Sequence, residues 1–132
     1  HYFDYRLPED VPAMLNAIAA SGIKAIFYTA DPIVRTRTAE VMAFLRDHRM
    51  VSIASIPTFA EAGGLAHYSP DGSGFYERTA SFVDRILRGA KPSDLPVEEP
   101  TNFEFVINLK TAKAIGLVIP QSALLRATAV IE

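Results

Sequence analysis

Gly89-Ala90-Lys91-Pro92-Ser93-Asp94-Leu95-Pro96-Val97-Glu98-Glu99-Pro100-Thr101-Asn102-Phe103-Glu104-Phe105-Val106-Ile107-Asn108-Leu109-Lys110-Thr111-Ala112-Lys113-Ala114-Ile115-Gly116-Leu117-Val118-Ile119-Pro120 is the stretch around which the chain is organised. Gly89 stops a helix, and Pro92, Pro96 and Pro100 each remove an N–H donor, which forbids a helix or a central strand and leaves an extended crossing segment. Phe103, Phe105 and Ile107 alternate with Glu104, Val106 and Asn108, the period of a strand with one buried face. Lys110 to Ile115 then reads as a short helix, stopped by Gly116 and again by Pro120. A crossing, a strand and a short helix cannot stand alone, so earlier residues must supply the sheet that this strand joins.

Those earlier residues read as alternating strands and helices. His1 to Arg6 is β-prone and short, an expected edge strand. Pro8-Glu9-Asp10 opens a helix, with proline where the missing N–H is harmless and acids at the positive end of the dipole. Met14, Leu15, Ile18 and Ala19 share its inner face, and Ser21-Gly22 ends it. Lys24 to Thr29 is an apolar run bounded by turn signals, the pattern of a strand buried on both faces. Asp31-Pro32 starts a second helix in which Val34, Thr38, Val41, Met42 and Leu45 recur at helical spacing as far as His48, and Val51 to Ile56 is another buried strand. Strand-helix alternation of this kind implies an α/β fold, a Rossmann-like (flavodoxin-like) parallel sheet with flanking helices. Beyond Pro57 the rhythm breaks into a glycine-ended turn over Phe59 to Gly64, a short strand over Leu65 to Tyr68 and a loop over Pro70 to Gly74. Tyr76 to Leu87 is an amphipathic helix with Thr79, Phe82, Val83, Ile86 and Leu87 on one face, and Gln121 to Arg126 is a last short helix.

Composition narrows the function classes. The chain has 132 residues, enough for one domain with its own core. Its formal net charge of -2 gives no electrostatic case for nucleic acid or an anionic membrane. Without cysteine there is no disulfide and no thiolate zinc site, and His1, His48 and His67 have no metal-ligand spacing. No apolar run is long enough to span a membrane. A nucleophile elbow needs Gly-x-Ser-x-Gly between strand and helix, and Asp71-Gly72-Ser73-Gly74 has no such context. Asp31 lacks the acidic pair that a phosphoacceptor site needs, and Arg35 and Arg37 read as a solvated helix flank. No catalytic constellation emerges, and nothing asks for a cofactor.

In an open parallel sheet, ligands bind at the carboxyl ends of the strands. That geometry selects Tyr28, Thr29 and Asp31 after one strand, Ser55 after the next, and Tyr68, Ser69 and Asp71 after a third. Asp31 has two readings, a helix N-cap or an acceptor for a ligand ammonium, and caps are the commoner use. Asp71-Gly72 is more often a plain turn. Ser55 and Thr29 fit either role, and Tyr28 and Tyr68 lean toward packing.

Lys91-Pro92-Ser93-Asp94-Leu95-Pro96-Val97-Glu98 followed by Phe105-Val106-Ile107-Asn108-Leu109-Lys110-Thr111-Ala112-Lys113 resembles the C-terminal signature of bacterial ABC-transporter substrate-binding proteins, in the amino-acid (tryptophan/tyrosine-type) branch with the type I periplasmic-binding-protein fold. The likeness is specific in the last third of the chain and extends more loosely over the rest. It implies a non-enzymatic solute-binding component of an ABC importer, periplasmic or extracytoplasmic, with a small polar ligand such as an amino acid and an ABC permease as partners. It implies that Asp31, in Thr29-Ala30-Asp31-Pro32, faces the cleft and contacts the ligand, although Ala30 departs from the usual pattern. Ser55-Ile56-Pro57-Thr58 lacks an acid that some relatives carry. The alternative from another class is a cytoplasmic ligand-sensing regulatory domain on the same fold.

Such proteins are about twice this length, with two lobes that close on a ligand. Residues 1–132 would be the C-terminal lobe, and 65–90 the excursion that normally packs on the other lobe. The lobe's opening strand and helix would precede His1, lying in the sheet between the strands at Tyr2 and Ala25. The expectation that follows is an incomplete sheet that compensates by re-pairing strands, or a homodimer built by strand or element exchange.

Overall fold

The computed structural model describes all 132 residues, which form two compact units. The first comprises His1–Ser69 with Glu104–Glu132, and the second Pro70–Phe103.

Pro8–Asp10 forms one turn of 3-10 helix that leads into α1 (Val11–Ser21). Asp10 holds this entry, since its Oδ2 accepts the N–H groups of Arg6 and Leu7 at 3.0 and 2.9 Å. At the other end Gly22 takes the left-handed conformation that a side chain would oppose, and its N–H closes on Ala19 O. β1 (Ala25–Tyr28) follows, then α2 (Pro32–Arg35), α3 (Thr38–Asp47) and β2 (Val51–Ala54). The single helix expected from Pro32 to His48 is thus broken at Thr36-Arg37. The cause is local: Thr36 Oγ1 donates to Ile33 O at 2.6 Å and Thr38 Oγ1 to Arg35 O at 2.8 Å, so side-chain hydroxyls take carbonyls that a continuous helix would use.

β3 (Ala66–Pro70), β4 (Phe103–Asn108) and β5 (Ala129–Ile131) complete a five-stranded sheet in the order β1-β2-β3-β4-β5. β1 runs parallel to β2 with Tyr28 level with Ala54, β2 parallel to β3 with Ala54 level with His67, and β4 parallel to β5. Between β3 and β4 the sense reverses: Asn108 N–H donates to Leu65 O, whereas Ser69, farther along β3, meets Glu104 at the start of β4. The sheet is therefore mostly rather than wholly parallel. α5 (Leu109–Ile115), capped by the Asn108 side chain, and α6 (Gln121–Leu124) join β4 to β5.

One face of β1 and β2 carries the main core, with Val11, Leu15 and Ile18 of α1 packed with Val34, Val41, Leu45, Met50, Ala54 and Phe59. Burying each large aliphatic side chain contributes about 1.5–3 kcal/mol, so this cluster holds the helices to the sheet. A smaller cluster joins Leu65 to Ala112 and Ile115 of α5.

Several sequence expectations are corrected here. His1 to Arg6 forms no strand; Phe3 and Tyr5 turn in against the core while Asp10 takes the Arg6 N–H. β1 is consequently an edge strand and is not buried on both faces, because α1 and α3 cover Ile26 and Tyr28 and leave Phe27 67% exposed. β2 likewise buries Ser52 and Ala54 but leaves Ile53 exposed. In β4 burial grows along the strand and does not alternate: Val106, Ile107 and Asn108 are all buried while Phe103 is exposed. β5 lies in a stretch left unassigned from sequence. All five strands come from one chain, so no exchanged element is needed to reach that number.

In the second unit, α4 (Phe75–Leu87) ends before Gly89, and a 3-10 turn at Pro92–Asp94 leads into an extended segment. Asp71 N–H donates to Asn102 O, which brings the two ends of the unit together. α4 is amphipathic as expected, yet it buries no residue: Val83, Ile86 and Leu87 are exposed. A cavity of about 380 Å³ within the unit is lined by Asp71, Phe75, Arg78, Phe82, Glu98 and Pro100, among others.

Candidate functional site

Parallel pairing sets the carboxyl ends of β1, β2 and β3 side by side, and the chain turns away from β1 and β2 there through 29–31 and 55–65. Tyr28, Asp31 and Ser55 meet at this end. Ser55 N–H donates to Tyr28 O at 3.0 Å, which fixes the two strand ends against each other. Asp31 Oδ1 accepts Ile33 N–H at 2.7 Å and Val34 N–H at 3.4 Å, the N-cap of α2. The cap reading of Asp31 is therefore realised, and its carboxylate also reaches Tyr5: burial first, and then the charge and hydrogen bond of Asp31, push the Tyr5 hydroxyl above its ordinary pKa. The Tyr28 hydroxyl is pushed up as well, by burial first and then by Tyr5 and Asp31, so Tyr28 is a proton donor throughout the neutral range. Its oxygen is out of solvent and has no hydrogen-bond partner.

Thr29, beside them, is exposed. Tyr68 is not brought to Tyr28. His67 is level with Tyr28 through Ala54, and side chains alternate along a strand, so Tyr68 points to the opposite face, where its ring meets Phe105 edge-on at 6.3 Å. Asp71 belongs to the second unit. There Ser73 donates both its N–H and its hydroxyl to the Asp71 carboxylate, which lowers the Asp71 pKa, with the Ser73 hydroxyl as the larger cause. That is the turn reading of Asp71-Gly72.

The glycine-ended turn expected over Phe59 to Gly64 is present after β2, and it walls this end of the sheet, a part that the sequence did not assign to it. Thr58 has φ 70, a left-handed conformation that a β-branched residue rarely adopts. Phe59 is buried, with its ring 6.0 Å from that of Tyr28. Ala60 is gripped on both sides: His67 Nδ1 receives its N–H at 3.4 Å, and Asn108 Nδ2 donates to its carbonyl at 2.8 Å. Thr111 Oγ1 donates to Gly63 O at 3.0 Å, and Ser52 Oγ receives the Leu65 N–H at 3.2 Å. His67 is itself buried, with Nε2 3.3 Å from Glu104 Oε1, which also receives the Ser69 hydroxyl. Only the glycines of this turn and the lone polar residues within apolar strands, Ser52, His67 and Asn108, hint at it in the sequence. No group of histidine, cysteine or acidic residues is placed to hold a metal ion.

The arrangement offers hydroxyls, a carboxylate already shared with backbone amides, and an aromatic wall. No helix is long and apolar enough to cross a membrane.

Solved structures carry the same arrangement of elements. A complex of an "ABC domain" with L-Trp from Streptococcus pneumoniae is 27% identical, covers 99% of this chain and superposes with a TM-score of 0.86. A conserved domain protein from Vibrio cholerae O1 biovar El Tor is 26% identical over 94% of the chain, with a TM-score of 0.84. A ligand-free, open substrate-binding protein with adhesive properties from Clostridium difficile shares the fold, at 19% identity over 97% of the chain and a TM-score of 0.68. The chain spans only 42%, 45% and 42% of the Vibrio, Streptococcus and Clostridium chains, under half of each. No curated protein sequence matches it. Residues 7–131 match the model of the ABC transporter substrate-binding proteins, nearly the whole length described above, and the chain belongs to that family of non-enzymatic binding proteins.

Proposed function

We propose that the chain is a lobe of an extracytoplasmic receptor that delivers a small polar solute, an amino acid or a close analogue, to an ABC permease. The observation that carries this reading is the likeness, over 99% of the chain, to a domain bound to L-Trp. The family match does not favour the alternative of a cytoplasmic sensor domain, and the family is one of non-enzymatic binding proteins.

In this reading the ligand meets the ends of β1 and β2. The free lone pairs of Asp31 receive its ammonium, the hydroxyls of Thr29 and Ser55 bond its polar groups, and Tyr28 covers its apolar part. Tyr68 and Asp71, from the opposite sheet face and the second unit, are proposed only as later contacts. Of the excursion expected over 65–90, β3 belongs to this chain's own sheet, and α4 is the part that packs on the other lobe of the longer relatives, for which its exposed Val83, Ile86 and Leu87 are suited. A lone lobe binds weakly, because lobe closure supplies the rest of the affinity.

Isothermal titration of the chain with a panel of L-amino acids and with nucleotides tests the proposal. Binding of an amino acid, weakened in Asp31→Asn, supports it; binding of a nucleotide alone favours the sensor. Native mass spectrometry addresses exchange between copies, for which a dimer is required and against which a monomer counts.

A further inference from the structure

His67 is the one titratable side chain in the buried set, at 1% exposure, and it lies between two acids. Its Nε2 is 3.3 Å from Glu104 Oε1 of β4, close enough to feel the charge but out of line for a hydrogen bond, so that nitrogen has no partner. Its Nδ1 receives the Ala60 N–H at 3.4 Å and is 3.6 Å from Glu61 Oε2. The charged groups that face the ring are therefore Glu61, from the turn after β2, and Glu104, from β4. Ser69, farther along β3, donates to Glu104, and Asn108 reaches the Ala60 carbonyl. The ion pairs made by arginines lie elsewhere, at Glu40, Asp47 and Asp84.

The Ala60 bond needs a bare Nδ1, which puts the single proton of a neutral ring on Nε2. A second proton can only go to Nδ1, and it turns that atom from acceptor to donor. The Ala60 N–H then loses its acceptor, and the Glu61 carboxylate becomes the nearest partner of Nδ1. Both grips act on the same turn, whose buried Phe59 stands next to Ala60 in the chain and has its ring 6.0 Å from that of Tyr28. We propose that His67 is a proton-operated clamp on the wall of the binding site: the neutral ring holds Ala60 and sets Phe59 against Tyr28, and the protonated ring exchanges Ala60 for Glu61 and weakens solute binding at the strand ends. The inference rests on the receptor reading of those strand ends. Asn108 and Thr111 hold the turn in both states, so the wall shifts and does not open. By linkage, a bound solute in turn opposes proton uptake by the ring.

The test follows the His67 ring nitrogens and the Ala60 amide of the full chain by NMR from about pH 5 to 8, the span in which histidines ordinarily titrate, with L-tryptophan titrated at both ends. It is run on the wild type and on His67→Gln. A bare Nδ1 at high pH and an Ala60 shift that follows the ring are expected, with L-tryptophan bound about fivefold more weakly by the protonated form, the effect of one exchanged hydrogen bond. Glutamine accepts the Ala60 N–H without taking up a proton, so His67→Gln should keep the stronger affinity at both ends, which a merely structural histidine does not require. Should His67→Gln fail to fold, the wild-type link between ring and Ala60 decides. A proton on Nδ1 at high pH, a ring that does not titrate in this span, or an Ala60 amide that ignores the ring overturns the clamp. A flat L-tryptophan affinity overturns it while keeping the receptor reading. Coupled movement of the ring and Ala60 with no amino-acid binding at either end supports the clamp and counts against the receptor reading.

Discussion

Gly64 lies directly beneath the ring of Phe59, so close that a Cβ at position 64 would fall within the ring's own atoms. The turn after β2 therefore closes only with glycine there. Gly64→Ala must displace a buried aromatic ring that packs on both the core and Tyr28, and a loss of about 1–3 kcal/mol follows from overpacking. Urea denaturation of the variant checks this; an unchanged midpoint would show that the ring moves freely.

Thr58, in the same turn, carries the opposite kind of strain. At φ 70 its β-branched side chain opposes the backbone, and glycine adopts that conformation without steric cost. Set against glycine's greater freedom in the unfolded chain, Thr58→Gly is expected to stabilise the protein by about 0.5–1 kcal/mol. A drop in the thermal midpoint would mean that Thr58 makes contacts worth more than the strain.

Asp31 combines a structural role with a proposed binding one, and two substitutions separate them. Asp31→Ala removes the acceptor of the Ile33 and Val34 N–H groups and should cost about 1 kcal/mol, the usual value of an N-cap. Asp31→Asn keeps an oxygen for those bonds and abolishes the charge, so it should retain stability and lose affinity for an ammonium-bearing ligand. Calorimetric melting beside ligand titration reads both; equal losses of stability in the two variants would refute the division.

Asp10 gives a pH dependence with a definite sign. Its pKa is lowered from 3.8 by the N–H groups of Arg6 first and Leu7 second. A carboxylate with a depressed folded pKa contributes stability that is present above its ordinary value and lost as pH falls through the depressed one. Asp10→Asn should accordingly be less stable than the wild type at neutral pH, and the gap should close as the pH drops below the ordinary carboxylate value. A gap that stays constant down to strong acid would assign the effect to something other than ionisation.

Much of the fold was legible because its signals were local. Pro8 with two acids, Asp31-Pro32, Gly22, Gly89 and Gly116 placed helix ends that the structure reproduces to within a residue or two. What failed depended on tertiary context. Nothing in Lys24 to Thr29 says that the strand lies at a sheet edge, so the exposure of Phe27 could not be read, and His1 to Arg6 has strand propensity without a neighbour to pair with. The break at Thr36-Arg37 was hidden by an unbroken apolar period. The strand-end rule placed Tyr28, Asp31 and Ser55 at the ends of β1 and β2, where the structure has them, since it needs only the order of elements. The glycine-ended turn was legible but its place as a wall was not, because its clamps come from Ser52, His67, Asn108 and Thr111, up to 48 residues away in the chain.

The central claim, that the ends of β1 and β2 form the solute-binding surface, is tested most directly by an amide chemical-shift titration of the full chain with L-tryptophan, the ligand bound by the Streptococcus pneumoniae domain. Such a titration registers even the weak affinity expected of one lobe. Saturable shifts centred on Tyr28, Thr29, Asp31 and Ser55 are the predicted result. Saturable shifts centred elsewhere, or none at these residues with any L-amino acid, would contradict the account.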